Sequence, residues 1–238
     1  MMRRVLFLGV FIALGLASRA QSSPDPTDYE SMKNYLSLRI YPADVIDTHG
    51  GIDSLVTRED LEHTYTVLML DFPGGFAPVK RSMFETWKKN VAEVFQVAQT
   101  HVDSAKVQRV SKSFSLQDSA VEVNMLVEPD YAASYALDLE HNMPDLVGEW
   151  GAVVAMPFKG LVAINKIAKG DRLDWTRFIR LTQPFIEKSY REQPQPISDQ
   201  YFWYYKGKFT RINTYIQGGI YHIAPPEGLS NLLVQTQQ

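Results

Sequence analysis

The chain has 238 residues, 45% of them hydrophobic and 12% aromatic, so one domain can bury a core large enough to stand on its own. A formal charge of −3, with no cluster of basic residues, excludes nucleic acid as a partner. The complete lack of cysteine excludes disulfides, thiolate metal sites and cysteine nucleophiles together.

The N-terminus reads as an export signal. Arg3 and Arg4 precede an apolar stretch, residues 5–17, and Ser18-Arg19-Ala20 puts small residues where a signal peptidase reads them. The apolar stretch has 13 residues, whereas a bilayer span takes about 20. This predicts cleavage after Ala20, delivery to the periplasm or beyond, no lipid anchor and no membrane span after processing. Losing three arginines changes the balance from 24 basic and 27 acidic side chains to 21 and 27, a net of −6.

Residues 21–28, "QSSPDPTD", form a Ser/Pro/Asp-rich leader expected to be disordered. Met32, Tyr35, Leu36 and Ile40 then fall near helical spacing, with Asp28 placed to cap. "HTYTVLMLDF" reads as a strand that stops at Pro73-Gly74-Gly75. Phe84, Trp87, Val91, Val94, Phe95, Ala98 and Val102 repeat at three and four residues, one amphipathic helix opened by a Ser82/Glu85 capping box. Two strands follow, carrying Val107 to Leu116 and Val121 to Val127, with a turn at Gln117-Asp118-Ser119. "DYAASYALDLEHNM" reads as a short helix capped by Asp130. "DWTRFIRLTQPFIEKSYRE" is a longer helix that Pro184 should kink or divide. Lys206-Gly207-Lys208 is a hairpin turn. The expected fold is α+β: a mixed or antiparallel sheet with helices packed on one face, in a single domain over residues 29–232 that can be built as two lobes, before a frayed tail at 233–238.

No motif for metal, cofactor or phosphate is present. The five histidines share no one-, three- or four-residue spacing. Asp47, His49 and Asp53 in "DTHGGID" read as a polar loop rather than as cation ligands. There is no Gly-x-Ser-x-Gly elbow, no Ser-x-x-Lys run and no phosphate-cradling glycine loop. Binding signals are stronger. In "YFWYYKGKF", Phe202 and Tyr204 share one strand face, and Tyr201, Trp203 and Tyr205 share the other. One face must enter the core. The other is either covered by a C-terminal element or is an open surface for a partner or small-molecule ligand.

Between the apolar runs of "WGAVVAMPFKGLVAINKI", Pro157 ends a first strand and Gly160 offers the positive φ of a tight turn, with Lys159 at its tip. Phe158 and Lys159 then either face solvent or rim a pocket. Together with "REDLEHTYTVLMLDFPGG" and the Tyr131-Ala132-Ala133-Ser134 helix, this order resembles the YtpQ-type family of uncharacterised bacterial proteins over about Asp60 to Lys208. The family carries Pro-x-Arg-Asp where this chain has Pro157-Phe158-Lys159-Gly160, so a charge pair inside the turn is absent. The resemblance implies a fold and no activity.

The leading expectation is an exported, non-enzymatic domain that binds a protein or small molecule through its aromatic C-terminal sheet, with Phe158, Lys159, Tyr65, Trp203 and Tyr205 as binding residues and no cofactor. The alternative is a hydrolase whose carboxylates and histidines converge only in three dimensions. A pocket near Lys159 lined by Asp71, Tyr65 or His63 would favour the alternative.

Overall fold

A computed structural model describes residues 24–48, 50–116, 119–171 and 173–235. Residues 1–23, where the expected signal and the start of the expected leader fall, lie outside them, as do His49, Gln117-Asp118, Arg172 and the last three residues.

Asp28 does cap a helix, accepting from the amides of Glu30 and Ser31 at 3.2 Å each, but α1 (Tyr29–Met32) is one turn long. The expected longer helix is instead strand β1 (Leu36–Pro42). Leu36, Leu38 and Ile40 alternate with Ser37 and Arg39, and that period of two prevails over the helical spacing. After α2 (Ala43–Thr48) come β2 (Thr57–Arg58), β3 (Thr64–Phe72) and β4 (Gly75–Pro78). These four strands form an antiparallel sheet in the order β1-β3-β2, with β4 also on β3.

The expected single amphipathic helix is two, α3 (Arg81–Trp87) and α4 (Val91–Asp103). Lys88 takes a left-handed conformation between them (φ 52°), and Asn90 restarts the chain by accepting from the Ala92 amide at 2.8 Å. Ser82 caps nothing, because Lys80 occupies the N-cap. Of the predicted apolar face, Phe84, Trp87, Val94, Phe95, Ala98 and Val102 are buried, whereas Val91, the first residue of α4, is 38% exposed.

β5 (Gln108–Leu116) and β6 (Ser119–Val127) form a hairpin. Two short helices follow, α5 (Ala132–Tyr135) and α6 (Leu139–Asn142), and then β7 (Ala152–Phe158) and β8 (Leu161–Lys166). Helix α7 (Asp174–Glu192) runs through Pro184 undivided, with the proline on its exposed side. The last elements are β9 (Tyr201–Tyr205), β10 (Lys208–Gln217), β11 (Ile220–Ala224) and α8 (Glu227–Gln235), so helix occupies part of the expected tail. Lys206 (φ 50°) and Gly207 (φ 72°) make the two-residue β9–β10 turn. The larger sheet is antiparallel in the order β11-β10-β9-β7-β8-β6-β5.

Alternation along these strands builds two cores. Ala152, Val154 and Met156 of β7, with Phe202 and Tyr204 of β9, meet α4, α5 and the inner face of the smaller sheet. Val153, Ala155, Tyr201 and Trp203 face the opposite way, against Trp175, Phe178, Ile179 and Ile186 of α7 and Leu229 of α8. The α+β class holds, and helices cover both faces of the larger sheet rather than one. Residues such as Leu38, Phe178 and Phe202 are fully enclosed, each contributing about 1.5–3 kcal/mol, which is how a chain without sulfur bridges is held.

Candidate binding site at the edge of the smaller sheet

β1 ends the smaller sheet, and its outward carbonyls are satisfied by side chains from two helices. His101 Nδ1 donates to the Leu36 carbonyl at 3.0 Å, and Ser134 Oγ donates to the Leu38 carbonyl at 2.7 Å. α4 and α5 thereby cover an edge that would otherwise be free to pair. Leu36, Leu38 and Ile40 turn into the core, and the alternation sends Ser37, Arg39 and Tyr41 to the other face of β1.

Arg39 is 4% exposed and anchors a clamp of several segments. Its Nη2 meets Asp130 Oδ1 at 2.7 Å, its Nη1 donates to Gln195 Oε1 at 2.5 Å, and its Cζ lies 3.6 Å from the centroid of Phe76. Lys159 Nζ reaches the same Asp130 oxygen at 2.6 Å. Burial pushes the Asp130 carboxyl up, but hydrogen bonds from Lys159 and then Arg39 outweigh it and hold the group below its ordinary range. Asp130 therefore acts as an ion bridge, and the predicted helix-capping role is not its own. Glu128 instead accepts from the Asp130 and Tyr131 amides.

The clamp delivers Tyr131 to Asp71, whose carboxylate accepts its hydroxyl. Burial, then the bond to Asp71, raises the Tyr131 phenol well above its usual range, so it stays protonated and donates. Beside this pair is a cavity of about 210 Å³ lined by Asn34, Tyr35, Ser37, Asp71, His101 and Tyr131, among others. Ser37 is 2% exposed; its hydroxyl lies close enough to Tyr131 to favour the ionised phenol slightly, yet completes no hydrogen bond. The Nδ1 of His101 faces a carbonyl, which only accepts, so Nδ1 carries the proton and Nε2 is the basic nitrogen. A second hollow, about 200 Å³ and lined by Tyr41, Ile46, Val67, Met69 and Phe76, is apolar. The rings of Phe76 and Tyr131, 5.8 Å apart and edge to face, stand between the two linings.

The predicted residues are dispersed. Lys159 is a clamp residue, 24% exposed, rather than a solvent-facing tip: the turn lacks an internal charge pair but finds Asp130 on another segment. Phe158 bridges to Pro196 and folds over Gly160. Gly160 has no positive φ; a Cβ there would come within 2.8 Å of the Phe158 ring, so it is space that requires the glycine. Tyr65 is half-buried on the outer face of β3, opposite Tyr41. Trp203 is 6% exposed beneath α8, where its Nε1 donates to the Trp150 carbonyl at 2.7 Å and Tyr205 stacks on it at 4.9 Å. The C-terminal helix is thus the cover over that aromatic face. His63 is exposed beside Glu62, away from the cavity lining, whereas Asp71 does line the cavity. Asp47 lies in α2 and Asp53 in the helical turn beyond, and His49 is outside the described residues.

Sequence reading missed Arg39, Ser37, Tyr131 and His101. The one available signal was the alternation of polar Ser37 and Arg39 with apolar Leu36, Leu38 and Ile40. No family model, curated protein or solved structure matches the chain.

Proposed function

We propose that the chain is an exported domain that binds a small ligand in the cavity of Ser37, Asp71, His101 and Tyr131. The export part rests on Arg3, Arg4 and the apolar stretch after them, and the YtpQ-type resemblance belongs to the same proposal without adding an activity. The binding surface moves from the Trp203 sheet, which α8 covers, to the β1 edge. One observation carries the reading: Ser37 lines this hollow, and its enclosed hydroxyl completes no hydrogen bond among the described residues. An unsatisfied buried hydroxyl costs about 1–3 kcal/mol, and a ligand that bonds to it recovers that cost. Ser37→Ala is therefore expected to stabilise the free protein by about 1 kcal/mol in denaturant melts, while abolishing stabilisation by any ligand of the cavity. A variant less stable than the parent would show that the hydroxyl already has its partner, and the reading would fall.

A second reading is favoured by His101. A histidine fixed as the Nδ1–H tautomer beside a serine and a protonated tyrosine has the parts of a general-base hydrolase. Ester turnover lost equally in Ser37→Ala and His101→Gln would select that reading over simple binding.

A further inference from the structure

We propose that the cavity takes a neutral, polyhydroxylated ligand of monosaccharide size, an inference that rests on the binding reading above. Charge decides first. Among the described residues of the lining Asp71 is the one carboxylate and there is neither lysine nor arginine, so an anion would meet a carboxylate with no cation beside it in the cavity wall. A cation fares little better. Asp71 already accepts the Tyr131 hydroxyl, and Arg39 lies close enough to weigh on the ionisation of Tyr131. The polar groups that remain are mixed donors and acceptors: the Ser37 hydroxyl, the Asn34 amide, the His101 imidazole and the Asp71 carboxylate. That inventory matches vicinal hydroxyls, each of which donates and accepts. Tyr35 and Tyr131 add two rings against which the C–H faces of a saturated ring can lie. Size decides next. At about 210 Å³ the volume falls below the roughly 300–1,000 Å³ of sites for drug-sized ligands.

The test is calorimetric titration of the purified protein with glucose, galactose and myo-inositol, and in parallel with choline and inorganic phosphate. Saturable binding of at least one polyol is expected, with no heat from choline or phosphate. Asp71→Asn should weaken it about tenfold or more, and Asn34→Ala, at the exposed rim where the fold is not at stake, by several-fold. Binding of choline or phosphate with the polyols inert would overturn the ligand class and leave the cavity reading in place. Silence from every probe would overturn the class as well. The cavity reading is judged separately, by the stability of Ser37→Ala, so the two failures are distinguishable.

Discussion

Asp130 Oδ1 receives Lys159 Nζ at 2.6 Å and Arg39 Nη2 at 2.7 Å, and the two cations are not equivalent. Arg39 is 4% exposed along its side chain and Lys159 24%. Removing Lys159 leaves Asp130 paired with arginine, so Lys159→Ala should cost under about 1 kcal/mol, as half-exposed pairs do. Asp130→Asn instead strips the counter-charge from an enclosed guanidinium. Fully buried pairs lose about 3–5 kcal/mol in that way; with Asp130 itself 39% exposed, roughly 2 kcal/mol is expected. The sign with pH follows from the lowered carboxyl. Its contribution is complete above the ordinary carboxylate range and disappears as pH falls through the depressed value. Denaturant melts should therefore separate wild type from Asp130→Asn near neutrality and bring them together in acid, once the pH has fallen through that depressed value. A difference that persists in acid would mean that the ion bridge is not what Asp130 supplies.

Helix α8 is the element that closes the second core, and Gly228 sets how near it comes. A Cβ on Gly228 would lie 2.7 Å from the Trp203 ring, which is held in turn by its bond to the Trp150 carbonyl. Two effects oppose each other in Gly228→Ala. Helix propensity gains up to about 1 kcal/mol, whereas overpacking a fixed ring costs about 1–3 kcal/mol. The clash prevails, so the variant should be destabilised by about 1 kcal/mol with a changed Trp203 fluorescence; a stabilised variant would mean that α8 stands off the sheet. Much of this level was legible in the sequence. β3, β6, β7, β8 and β9 read as apolar or alternating runs bounded by turn residues. β1 did not, because Leu36 and Ile40 also stand four apart behind a genuine cap at Asp28. The site was less legible for a different reason. Arg39 lies 91 residues from Asp130, and Tyr131 60 from Asp71. Each reads locally as an ordinary polar residue, and no spacing rule joins residues that only the β1 edge assembles. Lys159 looked like a solvent-facing tip because its partner is 29 residues upstream.

Across the whole molecule, alkali acts on both cores at once. Tyr204 is 1% exposed in the central core, and burial pushes its phenol to about 12, only partly relieved by the Glu140 amide at 3.3 Å. Tyr201, in the second core against the Thr182 hydroxyl at 2.8 Å, is raised further by burial, and Tyr131 is raised at the site. A group whose folded pKa is raised contributes stability in full below its unfolded value, near 10 for a phenol, and loses it as pH climbs toward the folded value. The rise at Tyr204 alone corresponds to about 2–3 kcal/mol, and three such groups are comparable with the roughly 5–15 kcal/mol that holds a domain together. With no cysteine in the chain, no disulfide restrains it once these phenols ionise. Unfolding is therefore expected between about pH 10 and 12, with phenolate absorbance and far-ultraviolet circular dichroism changing together as the buried tyrosines ionise through unfolding. Tyr204→Phe should move that transition to higher pH while costing about 1 kcal/mol at neutrality, because the Glu140 amide loses its partner. Complete phenol ionisation near pH 10 with the dichroism intact would mean that neither core depends on keeping these hydroxyls neutral.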